Sequence, residues 1–425
     1  MLYDRLKICL LTSSFPCHPA DRVTAPFLPP FIEALQDQGA QVVVFTQERP
    51  GDKVPVVDVP IHWFPWHHTT TPLSRLRLYH PRDLWSVGRL IIQGCREIVP
   101  FVRHHQVDLC LAAWAIPSGY FASRAHKALG VPYCVWALGS DISDWARYPL
   151  LRQGIQQILR DADGLFADGL DLGKRVQQLA GRPCAFLPTV RPLADDESVV
   201  RVVLDPGTTH FLFVGRWEKV KGVDILLEAM HRLQQAGVAA HLHIVGKGSL
   251  KGFLQRKMQA YGLTNTVFLQ EDVPTAILRG YLQQCDCLVI PSRSDSIPLV
   301  FSEGLQARIP LIVSATGDLA TLVQRFALGH VVPPGDAGQL TRAMADFVRN
   351  RGRKQQYLHH VDKAQALFNI DKAAATFLQH AQQLVSTRWQ KPVDGLRASS
   401  PVIAADSAEA PCAMRSTRGD QCEQA

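Results

Sequence analysis

Short apolar runs separated by stretches of helical periodicity recur along most of this chain, and that alternation limits the fold more than any single motif. Buried strands joined by helix-length connections are the pattern of parallel sheets, because parallel pairing needs a crossover and a helix supplies it. In the first half the candidate strands are 7–12, 41–46, 109–112, 133–137 and 164–167. In the second half they are 210–214, 241–245, 266–269, 287–290 and 311–313. Helical patterns fit between them at 25–38, 118–129, 223–236 and 250–261. A chain of 425 residues exceeds what one core usually supports, so two α/β domains are expected. The segment 188–207 combines prolines with Asp195, Asp196 and Glu197 and lacks periodicity, which puts the boundary there. The expected domains are 1–190 and 191–370, with a helix at 371–388 that packs back on the first. Beyond it, 390–425 shifts to Pro, Ala, Ser and scattered charge, and is expected to be disordered.

The bulk numbers exclude several classes. Hydrophobic content of 47% and charged content of 20% are ordinary for a soluble globular protein. No uninterrupted apolar stretch reaches the roughly 18 residues that span a bilayer. The apolar run 8–11 is shorter than a signal-peptide core and reads as the first strand, so a cytoplasmic location is expected. Ten cysteines include Cys285-x-Cys287 but no CxxC pair, and Cys9, Cys110 and Cys134 sit singly in apolar context, as reduced core thiols do. The histidines include the pairs His67-His68, His104-His105 and His359-His360 but no HExxH, so no metal site held by protein ligands is expected. A net charge of +7 suits an anionic small ligand or an anionic membrane surface better than nucleic acid.

One predicted helix, 82–99, has unusual charge geometry. Leu84, Val87, Ile91, Cys95 and Ile98 form an apolar stripe, while Arg82, Arg89 and Arg96 recur on roughly the opposite face near Trp85. Arg75, Arg77 and, past Pro100, Arg103 add to the basic character. The pattern fits first the solvated face of a packed helix, and as the alternative a peripheral contact with anionic lipid at the inner face of the cytoplasmic membrane.

The run CLVIPSRSDSIPLVFSEGLQARIP, residues 287–310, carries the chemistry. A strand enters a polar turn and a helix opens near Pro298, where a proline is favoured because its missing N–H has no partner to lose. Free backbone N–H groups and the positive end of the helix dipole at Pro298, Leu299 and Val300 suit phosphate. Asp295 and Glu303 cannot bind phosphate but can accept hydrogen bonds from sugar hydroxyls, and together these properties describe a seat for a nucleotide sugar. The second half opens with FLFVGRWEKVKG, where Gly215 permits close backbone approach and Arg216 and Lys221 project two cations from one loop. Fixed cations there stabilise a departing diphosphate without a metal. IVGKGS, 244–249, ends another strand in a turn at Gly246. No GxGxxG follows the first strand, which argues against a dinucleotide-dependent dehydrogenase.

The ordered pattern FVGRWEKVKG, IVGKG, FLQEDV and CLVIPSRSDSIPLVFSEGLQ resembles the retaining glycosyltransferases of the GT-B fold, family 4. SSFPCHPADRVTAPFLPPFIEALQDQGAQVVVFT and WAIPSGYFASRAHKALGVPYCVWALGSDI are similar to the family's acceptor-side segments, and the likeness covers roughly 5–385. The resemblance implies two Rossmann-like domains facing across a cleft that closes on substrate. It implies that Glu303 binds the nucleotide ribose, that Asp295 lies near the donor hexose and that Arg216 and Lys221 hold the diphosphate. The 298–301 backbone would meet the phosphates and 268–273 would border the base. The implied activity is a metal-independent, retaining hexosyl transfer from a nucleotide diphosphate sugar to a glycan or lipid-linked saccharide of a bacterial envelope polymer or exopolysaccharide.

Three positions depart from the family pattern. Asp295 replaces the first Glu of its Glu-x7-Glu motif, keeping charge with a shorter reach, which points to a changed donor preference. Leu138 stands where many members have a sugar-contacting His before Gly139-Ser140-Asp141, and Asp141 is either a substitute polar contact or a helix cap. Arg308 replaces a Gly, at a cost of about 1–2 kcal/mol if the position is left-handed. A front-face transfer needs no protein base, since the acceptor hydroxyl can give its proton to the leaving phosphate oxygen. The rival reading is a catalytically silent nucleotide-sugar-binding protein of the same fold, acting as partner or regulator. An epimerase would need paired acid–base residues around the sugar, and no such constellation is evident.

Overall fold

Two parallel sheets organise the molecule. The first contains β1 (Lys7–Thr12), β2 (Gln41–Gln47), β3 (Ile61–Phe64), β4 (Leu109–Ala113), β5 (Tyr133–Ala137), β6 (Gly164–Ala167) and β7 (Ala185–Phe186), in the order β3-β2-β1-β4-β5-β6-β7. The second contains β8 (Thr209–Val214), β9 (Ala240–Val245), β10 (Val267–Gln270), β11 (Cys287–Ile290), β12 (Leu311–Ser314) and β13 (Gly329–Val332), in the order β10-β9-β8-β11-β12-β13. The computed structural model describes residues 6–389 apart from 20, 22–23, 50, 52, 67–79, 144, 194–199, 351 and 353. Arg75, Arg77, Asp195, Asp196, Glu197 and the tail 390–425 lie outside the described residues.

The central strands are apolar along their whole length because helices cover both faces of each sheet. β1, β4 and β5 contribute alternately to two cores, one containing Cys9, Leu11, Cys110 and Val135, the other Ile8, Leu10, Leu111 and Trp136. The short edge strands β3, β7 and β13 are not among the expected ones, since half-exposed residues such as His62, Ala185 and His330 break the apolar run. In each sheet the strand order reverses beside the first strand, between β1 and β4 and between β8 and β11. Open α/β sheets bind ligands outside the carboxyl ends of their strands at such a reversal.

Helix Ile370–Trp389 leaves the second domain and packs on the first, burying Ala374, Phe377, Leu378 and Ala381 against Leu28, Phe31 and Leu35. The Phe31 and Phe377 rings lie 6.1 Å apart.

Helix Pro81–His104 corrects the sequence reading twice. It continues through Pro100, which sits on the exposed side, rather than ending before it. Its buried line is Ser86, Leu90, Gly94, Ile98 and Phe101, and Leu84, placed in the apolar stripe by spacing, is 57% exposed. The reason is Gly94, where a Cβ would come within 2.4 Å of the Phe121 ring. Phe121 of the neighbouring helix Tyr120–Leu129 lies against that glycine, which puts Gly94 on the buried line. Arg308 adopts φ +54°, so the left-handed conformation is present there, and its guanidinium pairs with Asp362.

Candidate active site

The loops carrying the predicted residues leave the carboxyl ends of adjacent strands, β8 and β11, and glycines let them interlock. Gly222 has φ +72°, and a Cβ there would sit 1.9 Å from the Pro291 carbonyl oxygen. Gly246 has φ +138°, and a Cβ there would sit 2.0 Å from the Gly215 carbonyl oxygen. No other residue tolerates both the conformation and the approach. The Arg293 guanidinium fastens the β11 loop to the start of helix Val223–Gln235 by a bidentate pair with Asp224, at 2.7 and 2.9 Å.

This interlock brings Lys221 and Asp295 together. The Lys221 ammonium donates to Asp295 Oδ1 at 2.6 Å, with both side chains largely shielded from water. Asp295 Oδ2 is buried without a partner among the described residues. Arg216, five positions before Lys221 in the chain, is exposed and makes no side-chain hydrogen bond or ion pair among the described residues. The structure therefore pairs one predicted cation with one predicted carboxylate and leaves the other cation open to solvent.

Pro298, extended at ψ 144°, precedes helix Leu299–Gln306. Val300 is buried in the second domain, whereas Leu299 packs against the core of the first, as does Leu138. On the next turn Glu303 is fully buried. Its Oε1 accepts from Arg191, and its Oε2 has no partner among the described residues. Burial pushes the Glu303 carboxyl above the usual carboxylate range, and Arg191 opposes that rise. Sequence reasoning missed Arg191. It stands 112 residues from its partner in a stretch without periodicity, so only its charge marked it.

The first domain closes over the same loops. Asp168, just beyond β6, accepts from Ser296 Oγ at 2.9 Å, and the Asp171 backbone N–H donates to Asp318 at 3.1 Å. Asp141 accepts from the Ala115 N–H at 2.7 Å, which gives it a structural task at the turn after Leu138. Burial raises the Asp141 carboxyl to about 6 against that hydrogen bond. In the stretch 268–273, Gln270 donates to the Tyr281 hydroxyl at 2.6 Å and its carbonyl receives the Gly246 N–H at 2.9 Å. That bond ties the second glycine turn to β10.

Two parallel-sheet α/β domains, a basic loop after the first strand of the second sheet and a carboxylate-bearing helix after its fourth define the class: a glycosyltransferase of the GT-B fold. The chain belongs to the group 1 glycosyltransferases. Residues 196–364 match the family described as Glycosyl transferases group 1, and residues 26–188 match the Glycosyl transferase 4-like domain. It is 26% identical over 370 residues to D-inositol 3-phosphate glycosyltransferase 2 of Catenulispora acidiphila, covering 80% of this chain and 85% of that protein. It is 27% identical over 293 residues to TuaC of Bacillus subtilis, whose name places it in teichuronic acid biosynthesis, covering 66% of this chain and 71% of that protein. Among solved structures, sucrose-phosphate synthase of Thermosynechococcus elongatus superposes with a TM-score of 0.71 at 18% identity, covering 90% of this chain and all of that one. Anabaena HepE, solved with UDP and glucose, superposes at 0.66 and 14% identity, covering 89% of this chain and all of that one. The structural likenesses concern the fold.

Proposed function

We propose that the protein is a retaining, metal-independent hexosyltransferase using a nucleotide diphosphate sugar, with a glycan or lipid-linked saccharide of a bacterial envelope polymer as acceptor. The observation that carries this reading is that Asp295 and Glu303, on either side of the Pro298 turn, each bury a carboxylate oxygen (Oδ2 and Oε2) without a donor among the described residues, as Asp141 also does with Oδ1. A buried carboxylate oxygen without a donor costs about 1–3 kcal/mol or more, so a ligand hydroxyl that donates to it is favoured. A ligand rich in hydroxyls, with one group at each end of the Pro298 turn and a diphosphate between, satisfies both. Glu303 then takes the ribose, Asp295 the hexose, and the Pro298–Val300 backbone with Lys221 and Arg216 the diphosphate. In the transfer, the bond from the anomeric carbon to the leaving phosphate oxygen breaks. The acceptor oxygen bonds to that carbon on the same face and passes its proton to the departing oxygen. The cations stabilise the growing diphosphate charge. The names of TuaC and of the Escherichia coli O-antigen chain mannosyltransferase C, 33% identical over 156 residues, support an envelope polymer as acceptor.

The decisive experiment incubates the protein with UDP-glucose, UDP-galactose and GDP-mannose, a polyprenyl diphosphate-linked oligosaccharide and EDTA. Release of free nucleotide together with an α-linked product is expected. Saturable donor binding without turnover over hours supports the silent binder instead, and a β-linked product overturns retention.

A peripheral membrane contact completes the proposal. Arg82, Arg89, Arg96 and Arg103 are all exposed on helix Pro81–His104, together with Trp85 at 55% and Ile92 at 54%. The Arg89 guanidinium lies 4.9 Å from the centre of the Trp85 ring. An exposed helix face that mixes arginines with large apolar side chains suits an anionic leaflet, with about 1 kcal/mol from each basic group near it. No helix among the described residues is long and apolar enough to cross a membrane. Replacing Arg82, Arg89 and Arg96 with alanine is expected to lower binding to phosphatidylglycerol vesicles at low salt at least tenfold. Equal vesicle binding by variant and wild type removes the membrane contact and leaves the transferase reading standing.

A further inference from the structure

Glu303 is buried, and neither predicted cation balances its charge. Arg191 does so, with Nε and a terminal nitrogen both directed at Oε1. Arg191 belongs to the passage between the sheets, after β7 ends at Phe186 and before β8 begins at Thr209. Gln306, on the same helix as Glu303, pins that passage. Its side chain donates to the Arg191 carbonyl at 3.1 Å and accepts from the Leu193 N–H at 2.8 Å. Arg191 also lines a cavity of about 260 Å³ between the domains, walled by Pro16, His18 and Asp21 on one side and Thr275 and Leu278 on the other.

We propose that Arg191 is the positioning residue for nucleoside recognition: it occupies Oε1 of Glu303, leaves Oε2 open to a ligand hydroxyl, and ties donor binding to the interdomain passage. The proposal rests on the assignment of Glu303 to the donor ribose made above. Arg191 is the charged group that faces Glu303, and burial alone favours the protonated acid. Without Arg191 the carboxyl holds a proton to higher pH, and its acceptor strength at neutral pH falls. A neutral side chain at 191 therefore moves the pH dependence of donor binding to higher pH. Lysine at 191 keeps the charge but not the double contact to one oxygen.

Two readouts separate the ion pair from its role in binding. Thermal midpoints of the ligand-free wild type, Arg191→Met, Glu303→Gln and the double variant form one cycle. Arg191→Met is expected to lower the midpoint, and adding Glu303→Gln to recover much of that loss; strictly additive losses overturn the pairing. Calorimetric binding of UDP, GDP and ADP from pH 6 to 9 is the second readout. The wild type is expected to bind at least one with little pH dependence. Arg191→Met is expected to bind it at least tenfold more weakly at pH 7, regain affinity as pH rises, and be rescued in part by Arg191→Lys. Wild-type affinity and pH profile in Arg191→Met overturn the proposal alone. A wild type that binds none of the three overturns the donor reading and the proposal with it.

Discussion

Glu303→Gln is expected to lower kcat/KM for the donor sugar by roughly ten- to a hundredfold, the equivalent of one lost charge-assisted hydrogen bond. Arg216→Ala is expected to lower it by well over tenfold, since a guanidinium placed on a departing diphosphate would act mainly in the transition state. The two variants separate in stability. Arg216 is exposed and unpaired among the described residues, so its removal is expected to leave the folding free energy unchanged within about 0.5 kcal/mol. Glu303→Gln strips Arg191 of its counter-charge. Breaking a fully buried pair costs about 3–5 kcal/mol. The loss here is smaller, because 23% of the Arg191 side chain meets water. Steady-state kinetics beside thermal unfolding decide the matter. Near-wild-type turnover in both variants removes the diphosphate and ribose assignments. Turnover lost only in Glu303→Gln leaves Arg216 without a role in the donor site.

The physical origin of each residue's position explains how much the sequence disclosed. β8 and β11 are legible because both faces of the second sheet are covered, which forces unbroken apolar runs such as FLFV and CLVI. Lys221 and Asp295 follow these neighbouring strands, so parallel pairing alone carries them to the same edge. Leu84 is misplaced by its spacing because helical periodicity fixes relative angles on a cylinder but not which line the neighbour contacts; Gly94 sets that line. Arg191 and the Asp168–Ser296 contact are out of reach for a different reason. Both depend on where the two domains and the passage between them come to rest, and no local period records that. Leu138 remains the unexplained departure. It packs against the first-domain core, and nothing among the described residues accounts for a leucine there.

The closure between the domains is expected to weaken as pH rises through neutrality, and Asp168→Asn is expected to abolish most of that dependence. Asp168 lies where the domains meet. A Cβ on its neighbour Gly169 would be 2.4 Å from Ser296 Oγ and 2.7 Å from an Asp318 carboxylate oxygen. Burial raises the Asp168 carboxyl from its ordinary 3.8 to about 7, the Ser296 hydrogen bond opposes the rise, and Asp141, Asp295 and Asp318 add to it. A folded-state value above the unfolded one means that the folded protein binds the proton more tightly. The corresponding stability is fully present below about pH 4 and is lost as pH climbs to about 7. A tenfold gain in proton affinity corresponds to about 1.4 kcal/mol, so the upper bound is a few kcal/mol, of which the upper half of the window is accessible near neutral pH. Asparagine keeps a carbonyl oxygen for Ser296 but carries no charge at any pH. Asp141, raised to about 6, titrates in the same direction in both proteins, so the difference between the two curves reports Asp168 together with its coupling to Asp141. Between pH 5 and 8 the wild-type thermal midpoint should fall by at least about 3 °C more than that of Asp168→Asn. Parallel curves would mean that the carboxyl already sheds its proton in the closed molecule without cost, and the interdomain contact would then have to be neutral to pH despite four carboxylates converging on it.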